Sequence, residues 1–160
     1  MARPTQQHPA PPPPDMPEAA LRAIAEDVLE RATRSLFTCD FDEWANATTL
    51  PVTLVSREGT SIPRTSAEKR THFDLFCAAM QTQQVTDIIR QVMTAERIDP
   101  WHIAASYKTE MLRHADRVVD PYHSTMTLLF CGDGQWRAST VLNALGHVNW
   151  TATDQRGDRP

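Results

Sequence analysis

The side chains able to hold a metal or attack an electrophile are few and scattered. The six histidines are His8, His72, His102, His114, His123 and His147, and no two stand as HxH or HxxxH. Ligands at such spacings share one face of a strand or helix, so spacing points to no metal site. Cys39, Cys77 and Cys131 are odd in number and widely separated. That suits neither a disulfide framework nor a zinc knuckle; small buried thiols in a reducing cytoplasm are the simpler expectation. General acid–base chemistry needs a carboxylate or an imidazole held at a cleft. Asp42, His72, His102 and His123 are the candidates, with the two tyrosines, Tyr107 and Tyr122, as assistants. Nothing matches GxGxxG, GxxxxGKS/T or GxSxG. A dinucleotide site, a phosphate-binding loop and a serine-hydrolase elbow are therefore disfavoured, and no cofactor is expected.

One domain has to position these groups. The 160 residues carry 16 Lys and Arg against 20 Asp and Glu, a net charge of −4. Such a balance offers no basic face to neutralise phosphates, so no nucleic acid is expected as a partner. No run of 18 apolar residues is present, and the front lacks a basic segment followed by an apolar one. Neither a membrane span nor a secretory signal is expected, which suggests the cytoplasm. Seven of the 12 prolines fall within the first 17 residues. Residues 1–16 are therefore expected to form a disordered Pro-rich tail. Residues 17–150 then make a single domain, and 151–160 a flexible C-terminal tail.

Within that domain, Leu21, Ile24, Ala25, Val28, Leu29, Ala32 and Leu36 repeat at helical spacing. Acids stand four residues before bases on the other face, at Glu18–Arg22, Asp27–Arg31 and Glu30–Arg34. Asp40 with Glu43, and Thr65 with Glu68, form capping-box patterns. The first introduces a short helix with Phe41 and Trp44 facing inward, and the second a helix striped by Phe73, Phe76, Cys77 and Met80. Leu50–Val55 and Ser61–Ile62 read as a strand pair. From Val85 onward the period becomes two, and four strands follow: Thr86–Ile98, Trp101–Arg113, Tyr122–Cys131 and Gln135–Asn143. Their short connections suit antiparallel neighbours, and the two longest should bend or carry bulges. The order is that of an α+β fold.

That order resembles the nuclear transport factor 2-like (SnoaL-like) superfamily over about residues 17–145. The residues carrying the resemblance are the helix Pro17–Phe37, the FDEW segment Phe41–Trp44 and the hairpin Leu50–Ile62. The strand VTDIIRQVMTAERI at Val85–Ile98 and the closing GQWRAS at Gly134–Ser139 complete it. Ala138 departs from the pattern, since a larger apolar residue usually follows the Trp-Arg pair. The resemblance implies a cone: a strongly curved mixed or antiparallel sheet covered by three helices from the N-terminal half. It also implies an internal cavity and a homodimer paired through the sheet. It implies no particular reaction, because members include isomerases, dehydratases, cyclases, hydrolases and silent association domains.

Strand parity nominates the lining. Trp101, Ile103, Ala105, Tyr107, Thr109 and Met111 share the more apolar face of their strand. Tyr122, Ser124, Met126, Leu128 and Phe130 do so on the next, and Trp136, Ala138, Thr140 and Leu142 on the last. With Trp44, the candidate ligand contacts are Tyr107, Thr109, Tyr122, Ser124, Met126 and Trp136. An apolar cavity with a few hydroxyls suits a small hydrophobic ligand. Asp42 falls near the mouth of such a cone, although an acid in a first helical turn is ordinary. His72 faces the mouth or solvent, while His102 and His123 have the parity of the outer face. Lys108, Glu110, Arg90 and Glu96 are expected on that outer face, available for pairs across a dimer. Three functions follow: a dimeric small-molecule binder, a cofactor-independent lyase, isomerase or cyclase, or a non-catalytic accessory subunit.

Overall fold

Amphipathic periodicity and capping residues set the helices. The computed structural model describes residues 10–56 and 59–143. Helices α1 (Glu18–Thr38) and α2 (Phe41–Ala47) come first, then strands β1 (Thr48–Ser56) and β2 (Gly59–Ser61) and helix α3 (Ser66–Thr82). The remaining strands are β3 (Asp87–Asp99), β4 (His102–Arg113), β5 (Asp116–Arg117), β6 (Tyr122–Phe130) and β7 (Trp136–Asn143). Leu21, Ala25, Val28, Leu29 and Leu36 bury one face of α1. On the other face Glu18–Arg22, Asp27–Arg31 and Glu30–Arg34 close at 3.4, 2.9 and 3.8 Å. Exposed pairs contribute about 0–1 kcal/mol each, so the buried stripe anchors the helix. Asp40 caps α2 by accepting the Glu43 N–H at 3.1 Å, and Thr65 caps α3 by accepting that of Glu68 at 3.2 Å. Neither capping box closes reciprocally. Glu43 accepts from Arg34 Nε at 2.7 Å, and Glu68 accepts the Arg64 N–H at 2.6 Å.

The strands form a curved mixed sheet in the order β2-β1-β7-β6-β4-β3, with β5 paired to β4. Tight connections make β3, β4, β6 and β7 antiparallel neighbours, whereas β1 runs parallel to β7. The helices cover its concave face. Beneath α1, Leu21, Ala25 and Val28 meet Ile103, Ala105 and Leu128. Beneath α2 and α3, Trp44, Phe73 and Phe76 meet Met111 and Tyr122. Phe73 stands between Phe41 and Trp44, its ring centre 5.8 and 5.6 Å from theirs.

Of several register shifts in the sheet, which include Ile98 in β3 and a stretch of β1, two lie near this centre. Met93 is the extra residue of β3 between Val92 and Thr94, and Ser139 that of β7 between Ala138 and Thr140. Arg22 of α1 donates to the carbonyls of Val92 and Met93 at 2.6 and 3.3 Å, and Ser139 Oγ donates to the Thr127 carbonyl at 3.1 Å. Each extra residue exchanges the faces of everything beyond it. Past Ser139, Thr140 and Leu142 therefore pair with the outward-facing Thr127 and Thr125, while Val141 pairs with the buried Met126. This corrects the inward placement expected for Thr140 and Leu142. Arg90 is a second correction: it pairs with the buried Thr109 and lies under α1, not on the outer face.

Ahead of α1, Pro12 is buried, Met16 packs on the α1–sheet cluster, and Arg97 donates to the carbonyls of Pro12 and Pro13. Residues 1–9 of the expected tail, 144–150 of the expected domain and the expected C-terminal tail 151–160 lie outside the described residues. Among the described residues no helix is long and apolar enough to cross a membrane.

Candidate ligand-binding site

Alternation along β4 and β6 builds the floor of the site. Tyr107, Thr109, Tyr122, Ser124 and Met126 are all buried on the concave face. Register sets Tyr107 opposite Ser124, Thr109 opposite Tyr122, and Arg90 of β3 opposite Thr109. Between this floor and the helices lies a cavity of about 70 Å³, whose walls include Val28, Leu29, Trp44, Tyr107, Tyr122 and Met126. Ala138 is also in its wall, at the position where a larger side chain would intrude.

The polar groups of this layer are short of partners. Thr109 Oγ1, Ser124 Oγ and Arg90 Nε are buried and make no hydrogen bond among the described residues. A buried donor or acceptor left unmatched costs about 1–3 kcal/mol, so three in one layer call for an explanation. Arg90 Nη1 donates to Thr33 Oγ1 at 2.9 Å, and the guanidinium carbon stands 6.0 Å from the centre of the Tyr107 ring. Burial pushes the Tyr107 phenol upward, and the Arg90 charge pulls it back in part. Arg90 and Leu29 also border a groove of about 520 Å³ between α1 and β3, which runs past Thr33, Phe37 and Ile88. Exposed Glu26, Glu30 and Arg34 stand along that groove.

The expected acid–base residues sit elsewhere. Asp42 is exposed in the first turn of α2. His72 Nε2 is 2.8 Å from Ser61 Oγ. His102 Nδ1 is 2.8 Å from each Asp99 carboxylate oxygen, and this carboxyl is held below its ordinary range by the Trp101 N–H and by His102. His123 is exposed opposite Lys108. None of the four lines the cavity. Of the expected ligand contacts, Thr109, Ser124 and Trp136 also stay outside its wall, Trp136 packed on Phe130 with ring centres 5.1 Å apart. Of the cysteines only Cys77 is buried; Cys39 is exposed and Cys131 half-buried. Among the described residues no group of three or more His, Cys, Asp or Glu gathers as metal ligands.

A fully buried cation, Lys69, lies against Trp44. Lys69 Nζ donates to the carbonyls of Ala45 and Thr48 at 3.1 and 3.2 Å and stands 5.6 Å from the Trp44 ring centre. Burial, aided by the nearby Arg137 charge, lowers its pKa to about 8. Arg137 is itself fixed, donating to both Asp133 oxygens at 2.7 and 2.6 Å and to Asn46. Arg137 in turn holds the Asp133 carboxyl down to about 2. Both cations were legible in pattern. Arg90 alternates with Ile88 and Val92, and Lys69 stands four residues before Phe73 on the α3 stripe.

No family model matches the chain, and no curated protein matches its sequence. Solved structures do match. A ketosteroid isomerase-like protein from Erwinia carotovora atroseptica is 14% identical, with a TM-score of 0.57, covering 77% of this chain and 94% of its own. A protein from Catenulispora acidiphila, in complex with S-DNPA, is 17% identical at a TM-score of 0.61, covering 79% and 94%. An NTF-2 like protein from Shewanella oneidensis is 10% identical at 0.57, covering 76% and 97%. These similarities, together with three helices on a curved mixed sheet, show that the chain has the nuclear transport factor 2-like fold.

Proposed function

We propose that the cone binds a small, mostly apolar molecule between α1 and the concave face. The carrying observation is Arg90, a wall residue of the mostly apolar cavity whose buried Nε has no partner in the layer it shares with Tyr107 and Thr109. A ligand with one polar end would satisfy part of that layer while its apolar end displaces nothing well hydrated. The acid–base alternative draws less support, since Asp42, His72, His102 and His123 are all outside the cavity. A panel of short neutral and acidic aliphatic molecules, titrated against protein labelled at the methionine methyls, tests the reading. Saturable shifts at Met126 are expected. A Met126 signal unmoved by every member of the panel overturns it.

We also propose a homodimer through the outer sheet face. Ile89, Met93, Ile98 and Leu142 are exposed, and such apolar side chains supply more affinity than local ion pairs. Glu110 is already engaged within the chain by Lys108 and Arg117 at 3.7 and 3.4 Å. Light scattering at micromolar concentration should give twice the chain mass, and a monomer rejects the proposal.

A further inference from the structure

We propose that Arg90 is a carboxylate-binding residue and that the pocket takes a small acid with a short branched alkyl end. This rests on the interior being a ligand pocket and goes further by naming the ligand class. A guanidinium presents its donors as forks, and the Nε–Nη2 edge matches the two oxygens of a carboxylate. In Arg90, Nη1 is taken by Thr33, whereas Nε is buried without a partner and no hydrogen bond is made through Nη2 among the described residues. The edge suited to a carboxylate is thus the edge left open.

No described carboxylate forms an ion pair with Arg90, in contrast to Arg22, Arg31, Arg34 and Arg137. Arg90 is half-buried, but its Nε is shut off from solvent without an acceptor, and the Tyr107 face 6.0 Å away answers the charge only weakly. Glu30 lies along the adjoining groove but belongs to Arg34, at 3.8 Å. Arg90 and Leu29 belong both to the interior cavity and to the groove outside, so a carboxylate held there has its alkyl end inside and its approach through the groove. Size sets the alkyl end. A cavity of 150 Å³ holds benzene, so one of about 70 Å³ holds about three carbons, the size of an isopropyl group. Met126, Ala138 and Leu29 give that group an apolar wall.

Isobutyrate and isobutyramide share this skeleton and differ in the charged head. Both are titrated at neutral pH into the full chain labelled at nitrogen and at the methionine methyls, following the Arg90 Nε–H and the Met126 methyl. Isobutyrate should shift both signals and bind about tenfold or more tightly than the amide. Arg90→Gln should lose that preference while keeping a folded spectrum. Equal binding of acid and amide overturns the role of Arg90 and leaves the pocket reading standing. Acid preference that persists in Arg90→Gln, or acid binding that shifts Met126 but not Arg90 Nε–H, also overturns it. If neither compound moves Met126, and the wider panel does not either, the pocket reading falls and this inference with it. The acid–amide comparison needs no variant, so it decides even if Arg90→Gln does not fold.

Discussion

Lys69, buried against Trp44, and Arg90, half-buried under α1, differ in how completely their surroundings answer them. Lys69 points two of its donors at the carbonyls where α2 passes into β1, and Trp44 covers it. Arg90 under α1 has one hydroxyl, a distant ring and a buried N–H with no acceptor. The first is finished as protein and therefore reads as a clamp. The second is unfinished as protein, which is why a ligand rather than a structural role accounts for it. A buried charge says little by itself; which of its donors are spent says more.

The contrast can be broken most sharply at Lys69. Lys69→Met keeps the stem and removes both donors, leaving two carbonyls unmatched at the α2–β1 junction. It should cost about 2 kcal/mol in urea denaturation. Arg90→Met should change stability less than Lys69→Met, because the charge it removes is incompletely answered in the free protein. Equal losses would erase the distinction. Proton linkage offers a second handle. The folded pKa of Lys69, about 8, lies below its ordinary 10.5, so between these values the unfolded chain holds the proton more tightly. The stability of the natural chain relative to Lys69→Met should therefore rise as pH increases from about 8 toward 10.5. A flat difference over that window contradicts the burial of the ammonium.

The smallest expected effect sharpens the same comparison from the cavity side. Ala138→Val places two more carbons against the space that Arg90 borders. It should raise stability by about 1 kcal/mol or less, read from the urea midpoint, and weaken any interior ligand. A loss of stability would mean that the wall is already in contact and that the cavity is not available to a ligand.

Much of this architecture is written in local pattern. The α1 stripe, the Asp40 and Thr65 caps and the parity of β4 and β6 each depend on neighbours within a few residues, and these all appear where expected. Trp44, Tyr107, Tyr122 and Met126 reach the cavity for that reason. Less legible was whatever depends on partners far along the chain. The bulge at Ser139 is stabilised by a carbonyl on β6, and it reversed Thr140 and Leu142. The parallel pairing of β1 with β7 spans most of the domain. Arg90 was misplaced because its charge outweighed its position between Ile88 and Val92, although alternation alone sets it inward.

The two bulges also bear on how this chain tolerates changes in length. Met93 and Ser139 are each one residue more than the partner strand matches, so deleting either codon leaves a regular ladder in the existing register, whereas a deletion elsewhere in these strands re-registers what lies beyond it. Removing Met93 would leave Thr94 opposite Ser106 and Ala95 opposite Ala105, each on its present face. Among variants that lose single codons, these two positions should be the most forgiving within their strands, alongside the loop at Gly132-Asp133-Gly134. What such a deletion loses is the local bend and the contacts of Arg22 with Met93 and of Ser139 with Thr127, not the pattern of faces.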